Sequence, residues 1–120
     1  MINELSKEID EINKANGFYE GKKNIGEMLC LIHSEVSEAL EADREGQYAF
    51  GVTKSLINLK EDKDFKFQFQ GTKDTFEDEL ADIMIRVMDL AAYKNIDLES
   101  HIKAKMRYNS LREYKHGKKY

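Results

Sequence analysis

An all-α fold, an antiparallel helical bundle of about four helices carrying a loop or short β-arm insertion, is what this sequence predicts. Three observations predict it. Apolar residues recur at helical spacing through most of the chain. The composition, 41% hydrophobic and 35% charged with neither proline nor tryptophan, suits long helices and gives little support to a β-sandwich. One segment, FEDELADIMIRVMDLAAY, is apolar on two sides, as a helix buried on two sides must be.

The elements follow in order. Ile2, Leu5, Ile9 and Ile12 trace a first amphipathic helix to about Asn16, where Asn16-Gly17 supplies a stop. After a polar connection over 18–24, Ile25, Met28, Leu29, Ile32, Val36, Ala39 and Leu40 form the apolar stripe of a second helix that runs to about Arg44 and ends near Gly46. Residues 46–75 hold Gly46, Gly51 and Gly71, and the alternation of Phe65, Phe67 and Phe69 in FKFQFQ suggests a short strand or half-buried arm bordering the site. Asp74-x-x-Glu77 fits an N-terminal cap for a third helix from about Thr75 to Tyr93. Its stripes are Phe76, Leu80, Ile83, Val87 and Leu90 on one side, and Ala81, Ile85, Met88 and Ala92 on the other. In so short a chain the second stripe calls for another subunit, so an oligomeric core, a homodimer or homotetramer, is expected. After a turn at Asn95-Ile96-Asp97, Asp97 caps a fourth helix to about Arg112, followed by the basic tail HGKKY.

Size and charge narrow the class. At 120 residues the chain reads as a single domain spanning 1–120. The lone Cys30 has no internal disulfide partner and falls on an apolar face, so it reads as a core residue. The start has neither a basic n-region nor an apolar h-region, and no run approaches a membrane span, so a cytoplasmic protein with no membrane partner is expected. Net charge is −4, yet residues 103–120 carry seven cations against Glu113, a net of +6 that leaves −10 for the remainder. Such a tail suits nucleic acid, or a polyphosphate whose metal comes from the acidic body.

Two acidic couplets carry the functional signal: Glu35-x-x-Glu38 and Glu79-x-x-Asp82, each inside a strongly apolar helix. Residues three apart share a helix face, so each couplet aims two carboxylates the same way. Glu35 falls within the apolar arc of its helix and Glu38 at its edge. Two like charges about 5 Å apart repel by roughly 3 kcal/mol at an effective dielectric near 20, before desolvation. Antiparallel pairing of the two helices would gather all four, which must then take up protons or hold a cation. Oxygen-only ligation selects hard ions, Mg²⁺ first and Mn²⁺ next, and Mg²⁺ completes its octahedron with waters and substrate phosphates. Solvated couplets are common, and Arg86, one turn beyond Asp82, offers the plainer outcome of a buried ion-pair network; Asp89 continues that row. His33, beside the acids, reads as structural because Mg²⁺ prefers oxygen. On the fourth helix Lys105, Asn109 and Arg112 line up a cation, an amide and a guanidinium, a row that suits phosphate and sugar oxygens. Lys118 in HGKK adds a donor, but no GxxxxGK[ST] loop is present.

The order Glu35-x-x-Glu38, Glu79-x-x-Asp82, then Lys105, Asn109 and Arg112 with a terminal HGKK resembles the all-α nucleoside triphosphate pyrophosphohydrolases, the MazG-like group, over roughly residues 24–45 and 76–120. The resemblance implies Mg²⁺-dependent cleavage between the α and β phosphates of a (deoxy)nucleoside triphosphate, releasing a monophosphate and pyrophosphate, with nucleotide-pool sanitation as a role. It implies metal ligation by Glu35, Glu38, Glu79 and Asp82, an attacking water oriented by Glu38 or Glu35, and nucleotide contacts from Lys105, Asn109, Arg112 and Lys118. Two departures stand out: Ser34 takes the place where the family often has a further glutamate, and residues 46–75 lengthen the separation between couplets. Two other classes compete. Carboxylate-bridged di-iron bundles need Glu-x-x-His on two helices, and only Glu113-x-x-His116 has that spacing. A non-catalytic nucleic-acid-binding or regulatory helical protein would use the tail but has no need of acids in its core.

Overall fold

The first helix, α1 (Ile2–Ala15), starts without a side-chain cap of its own, so its leading N–H groups need partners from elsewhere. In the computed structural model, which describes residues 1–17, 23–112 and 119, Glu99 supplies one. Its Oε1 accepts from the Ile2 N–H at 2.6 Å and from the Met1 amine. Glu99 stands in the first turn of α6 (Leu98–Ser110), and the service is returned: Asn3 Oδ1 accepts from the Glu99 N–H at 3.2 Å, while Asn3 Nδ2 donates to Asp97 Oδ1 at 2.7 Å. Asp97 caps α6 as expected, accepting from the Ser100 N–H at 3.1 Å. The bonds from Asn3 and Ser100 hold the Asp97 carboxyl down at about 2.

Between these elements lie α2 (Ile25–Arg44), α3 (Thr53–Leu56), α4 (Asp62–Phe69) and α5 (Phe76–Tyr93), and no strand occurs among the described residues. The chain divides into two compact units, one of Met1–Lys22 with Met88–Tyr120 and one of Lys23–Val87. In the first, α1 meets α6 through the reciprocal caps, and α5 ends in a turn with Asn95 at φ 54. The Ile96 and Asn95 N–H groups donate to the Ala91 and Ala92 carbonyls, closing the helix by a Schellman motif.

In the second unit, Asn24 caps α2 by accepting from the Glu27 N–H at 3.0 Å. Gly46, at φ 67, closes α2 in the same way, with Gln47 donating to Ala42 and Gly46 to Asp43. The span expected to hold a loop or a short strand or arm instead holds α3 and α4. Phe65, Phe67 and Phe69 lie on α4, where Phe65 and Phe69 stack one turn apart at 5.6 Å and Phe67 points to solvent. Alternation with a period of two also contains the i, i+4 pair of a helix, and a strand here has no neighbour to complete its ladder.

Two further expectations are corrected. The cap of α5 is Thr75, which accepts from the Asp78 N–H at 3.4 Å; Asp74 does not cap it, and Glu77 serves another purpose described below. Cys30 is exposed and is not the core residue expected from its place on an apolar stripe. The same holds for much of the predicted apolar stripe: Leu29, Val36 and Leu40 are 47%, 48% and 51% exposed, whereas Ala39 and Ala42 are buried.

Candidate metal centre

α2 and α5 each put a carboxylate couplet on one face by the three-residue spacing, and within the unit Lys23–Val87 those faces meet. Carboxylate oxygens of Glu35, Glu79 and Asp82 all lie within 4.8 Å of one another. Glu79 is 4% exposed and Glu35 7% exposed. Glu38, predicted at the edge of the arc, is exposed, and its carboxylate interacts with both Glu35 and Glu79. So three of the four predicted ligands converge tightly and the fourth stands alongside.

The ion-pair outcome is realised at the same place. Arg86 Nε donates to Glu35 Oε1 at 2.9 Å. That bond occupies one oxygen of Glu35 only; Glu35 Oε2 and Glu79 Oε2 are both buried with no hydrogen-bond partner outside the carboxyl cluster. Buried carboxylate oxygens left unpaired are costly, and here two of them belong to residues of one cluster.

The cluster's electrostatics divide its members. Burial raises Glu79, and the neighbouring Glu35 and Glu38 carboxylates raise it further, to about 8. Burial and the charges of Asp78 and Glu35 likewise raise Asp82. For Glu35 burial acts upward too, but the Arg86 hydrogen bond and charge, with hydrogen bonds from its carboxyl neighbours, bring it below the usual range. At neutral pH without a cation, Glu79 therefore holds a proton while Glu35 is ionised against Arg86.

Not every predicted residue belongs to this cluster. Lys105, Asn109 and Arg112 stand on or just past α6 in the other compact unit, all exposed; Lys105 Nζ and Arg112 Cζ lie 5.0 and 5.7 Å from the centre of the Tyr108 ring. Lys118 and His116 lie outside the described residues. Asp89 is buried in that other unit, where it interacts with Asn13, and is no member of the cluster. His33 is exposed. The sequence reading missed a second acidic group, Asp74, Asp78 and Glu79, which shares Glu79 with the first. Asp78 Oδ2 there accepts from the Asp74 N–H at 2.9 Å, so the group serves the turn into α5. It also missed Glu77, whose Oε2 accepts from the Ala49 and Phe50 N–H groups at 2.9 and 3.0 Å. No local pattern reveals a contact 27 residues away.

Compared with known proteins, the chain matches no protein-family model, no curated protein and no solved structure.

Proposed function

We propose that this protein is a Mg²⁺-dependent nucleoside triphosphate pyrophosphohydrolase, cleaving a (deoxy)nucleoside triphosphate to its monophosphate and pyrophosphate. The observation that carries the reading is the convergence of Glu35, Glu79 and Asp82, with two buried Oε2 atoms that have no partner outside the cluster. An all-oxygen donor set of this kind fits a hard divalent cation, Mg²⁺ or Mn²⁺, and suits no soft metal. Glu35, Glu79 and Asp82 would hold it, with Glu38 at the exposed margin. When bound, the ion neutralises the polyphosphate and polarises the phosphorus under attack.

The chain's own groups divide the remaining work. Glu38 faces solvent and orients the attacking water, while Glu35, engaged by Arg86, keeps a fixed carboxylate position. Lys105, Asn109, Arg112 and Lys118 are assigned to the phosphates and sugar, following the resemblance drawn from the sequence. The assembly is a helical bundle formed between copies of the chain, a reading supported by the exposed apolar side chains of α2 together with Leu80, Met84 and Ile85 of α5. Among the described residues no helix is long and apolar enough to cross a membrane; action on the cytoplasmic nucleotide pool belongs to this proposal.

The deciding assay is pyrophosphate release from canonical and modified (deoxy)nucleoside triphosphates with and without Mg²⁺. Release that needs the metal and falls by two orders of magnitude or more in Glu38→Ala and Asp82→Ala is expected. Release indifferent to both substitutions, or orthophosphate as the product, defeats the proposal.

A further inference from the structure

Three aromatic rings gather where the chain leaving α2 meets the start of α5. The Tyr48 ring centre is 5.0 Å from that of Phe76 and 5.8 Å from that of Phe50. Tyr48 and Phe76 are half-buried, but Phe50 is 82% exposed. Its backbone is equally unusual: φ is 50, in the left-handed region that a bulky residue rarely enters. Gly51, at φ 82, follows it.

This conformation is fixed in place. Glu77 Oε2 accepts from the Ala49 and Phe50 N–H groups, and the hydrogen bonds from Ala49 first among the causes hold the Glu77 carboxyl below its ordinary range. The Tyr48 hydroxyl donates to Asp43 Oδ1, and the Phe76 N–H donates to the Gln47 carbonyl at 2.8 Å. A strained, clamped loop thus holds a large apolar ring out in water, an arrangement that helix capping and core packing do not require. Strain of this sort gathers where a ligand is gripped.

We propose that the exposed face of Phe50 is a stacking platform for a planar heteroaromatic ring, and that this ring is the nucleobase of the substrate; the proposal rests on the nucleotide reading above. Two features of the surroundings select the base rather than the phosphates. Asp43 and Glu77 flank the trio with carboxylates, which repel phosphate and tolerate an uncharged ring. Phe76, whose ring meets Tyr48, stands one turn before Glu79 on α5, so the aromatic trio adjoins the helix that carries Glu79 and Asp82 within one unit. Stacking reads a π-face and not a base edge, so this contact separates nucleotides from bare polyphosphate without choosing among bases.

Because the chain contains no tryptophan, Phe50→Trp places a single indole at the platform. Its fluorescence is expected to be quenched by nucleoside monophosphates and by free nucleosides, with or without metal, and to ignore tripolyphosphate. Phe50→Ala should bind a non-hydrolysable nucleoside triphosphate about tenfold more weakly, with inhibition by tripolyphosphate unchanged and Phe50→Tyr close to wild type. Wild-type pyrophosphate release beside an indole that no hydrolysed nucleotide quenches would overturn the platform alone. Quenching of the indole by nucleosides, in a protein whose wild-type form releases no pyrophosphate from any nucleoside triphosphate, upholds the platform while the hydrolytic reading fails. Unchanged nucleotide affinity in Phe50→Ala with a smaller mass in solution would make the ring a subunit contact and overturn the proposal.

Discussion

Glu79 is the residue on which the site's behaviour turns. With a carboxyl at about 8 in the fold against an ordinary 4.5, it is protonated in the native protein and ionised in the unfolded chain across that interval. Folding then takes up a proton, and this contribution to stability is full below about 4.5 and lost as pH rises through 8. Glu79→Gln removes the slope. Without divalent metal the variant should melt about 4–8 °C above wild type at pH 8, and the gap should close by pH 5, in thermal scans at several pH values. Saturating Mg²⁺ should reverse the order, raising wild-type Tm by the linkage of binding to folding while leaving the variant unmoved. Arg86→Ala strips Glu35 of its hydrogen bond, and a loss of about 1–2 kcal/mol in denaturant unfolding is expected. That Glu35 is buried was legible from its place inside an apolar arc. That Arg86 engages one oxygen of Glu35 and leaves the other to the carboxyl cluster was not, since only side-chain geometry separates the two atoms.

At the scale of elements, helix ends explain both the successes and the failures of the sequence reading. Gly46 and Asp97 announce the end of α2 and the start of α6 because each acts on backbone groups within a few residues of itself. Gly46→Ala, forced to keep φ 67, should cost about 1 kcal/mol in denaturant unfolding although nothing lies within 4 Å of the added carbon. The start of α1 was illegible as a cap because its partner, Glu99, is 97 residues distant. Glu99→Ala should lower stability by about 1 kcal/mol, with hydrogen exchange at the Ile2 amide accelerating beyond that of α2. FKFQFQ misled for a different reason. A strand needs a partner ladder, and a period-two pattern of three phenylalanines supplies none, whereas Phe65 and Phe69 can close on each other within one helix.

For the whole molecule, the exposed leucines and valine of α2 are the main imbalance. Leu29, Val36 and Leu40 follow one helical stripe and each stands near half exposure, while the buried core of the chain is built from alanines with Leu56 and Met88. The proposed assembly would cover this stripe with a second copy. Leu40→Glu should reduce the mass measured by light scattering to that of a single chain and lower Tm, whereas Phe67→Glu, on an exposed position of α4, should do neither.

What the sequence determined by itself was what is encoded within a few residues: a helical chain, the limits of the long helices to within about two residues, the cap at Asp97, and the two acidic couplets beside apolar stripes. Helical periodicity, capping and couplet spacing are local, and local physics is written in order along the chain. Tertiary structure alone decided the rest. It chose α3 and α4 over a strand, set Cys30 outside, gave Arg86 to Glu35 and Glu77 to the loop at Ala49 and Phe50, and drew Glu35, Glu79 and Asp82 into one cluster. Those outcomes join residues dozens of positions apart, and whether a buried carboxylate is protonated, paired or left open depends on which distant groups the fold brings beside it.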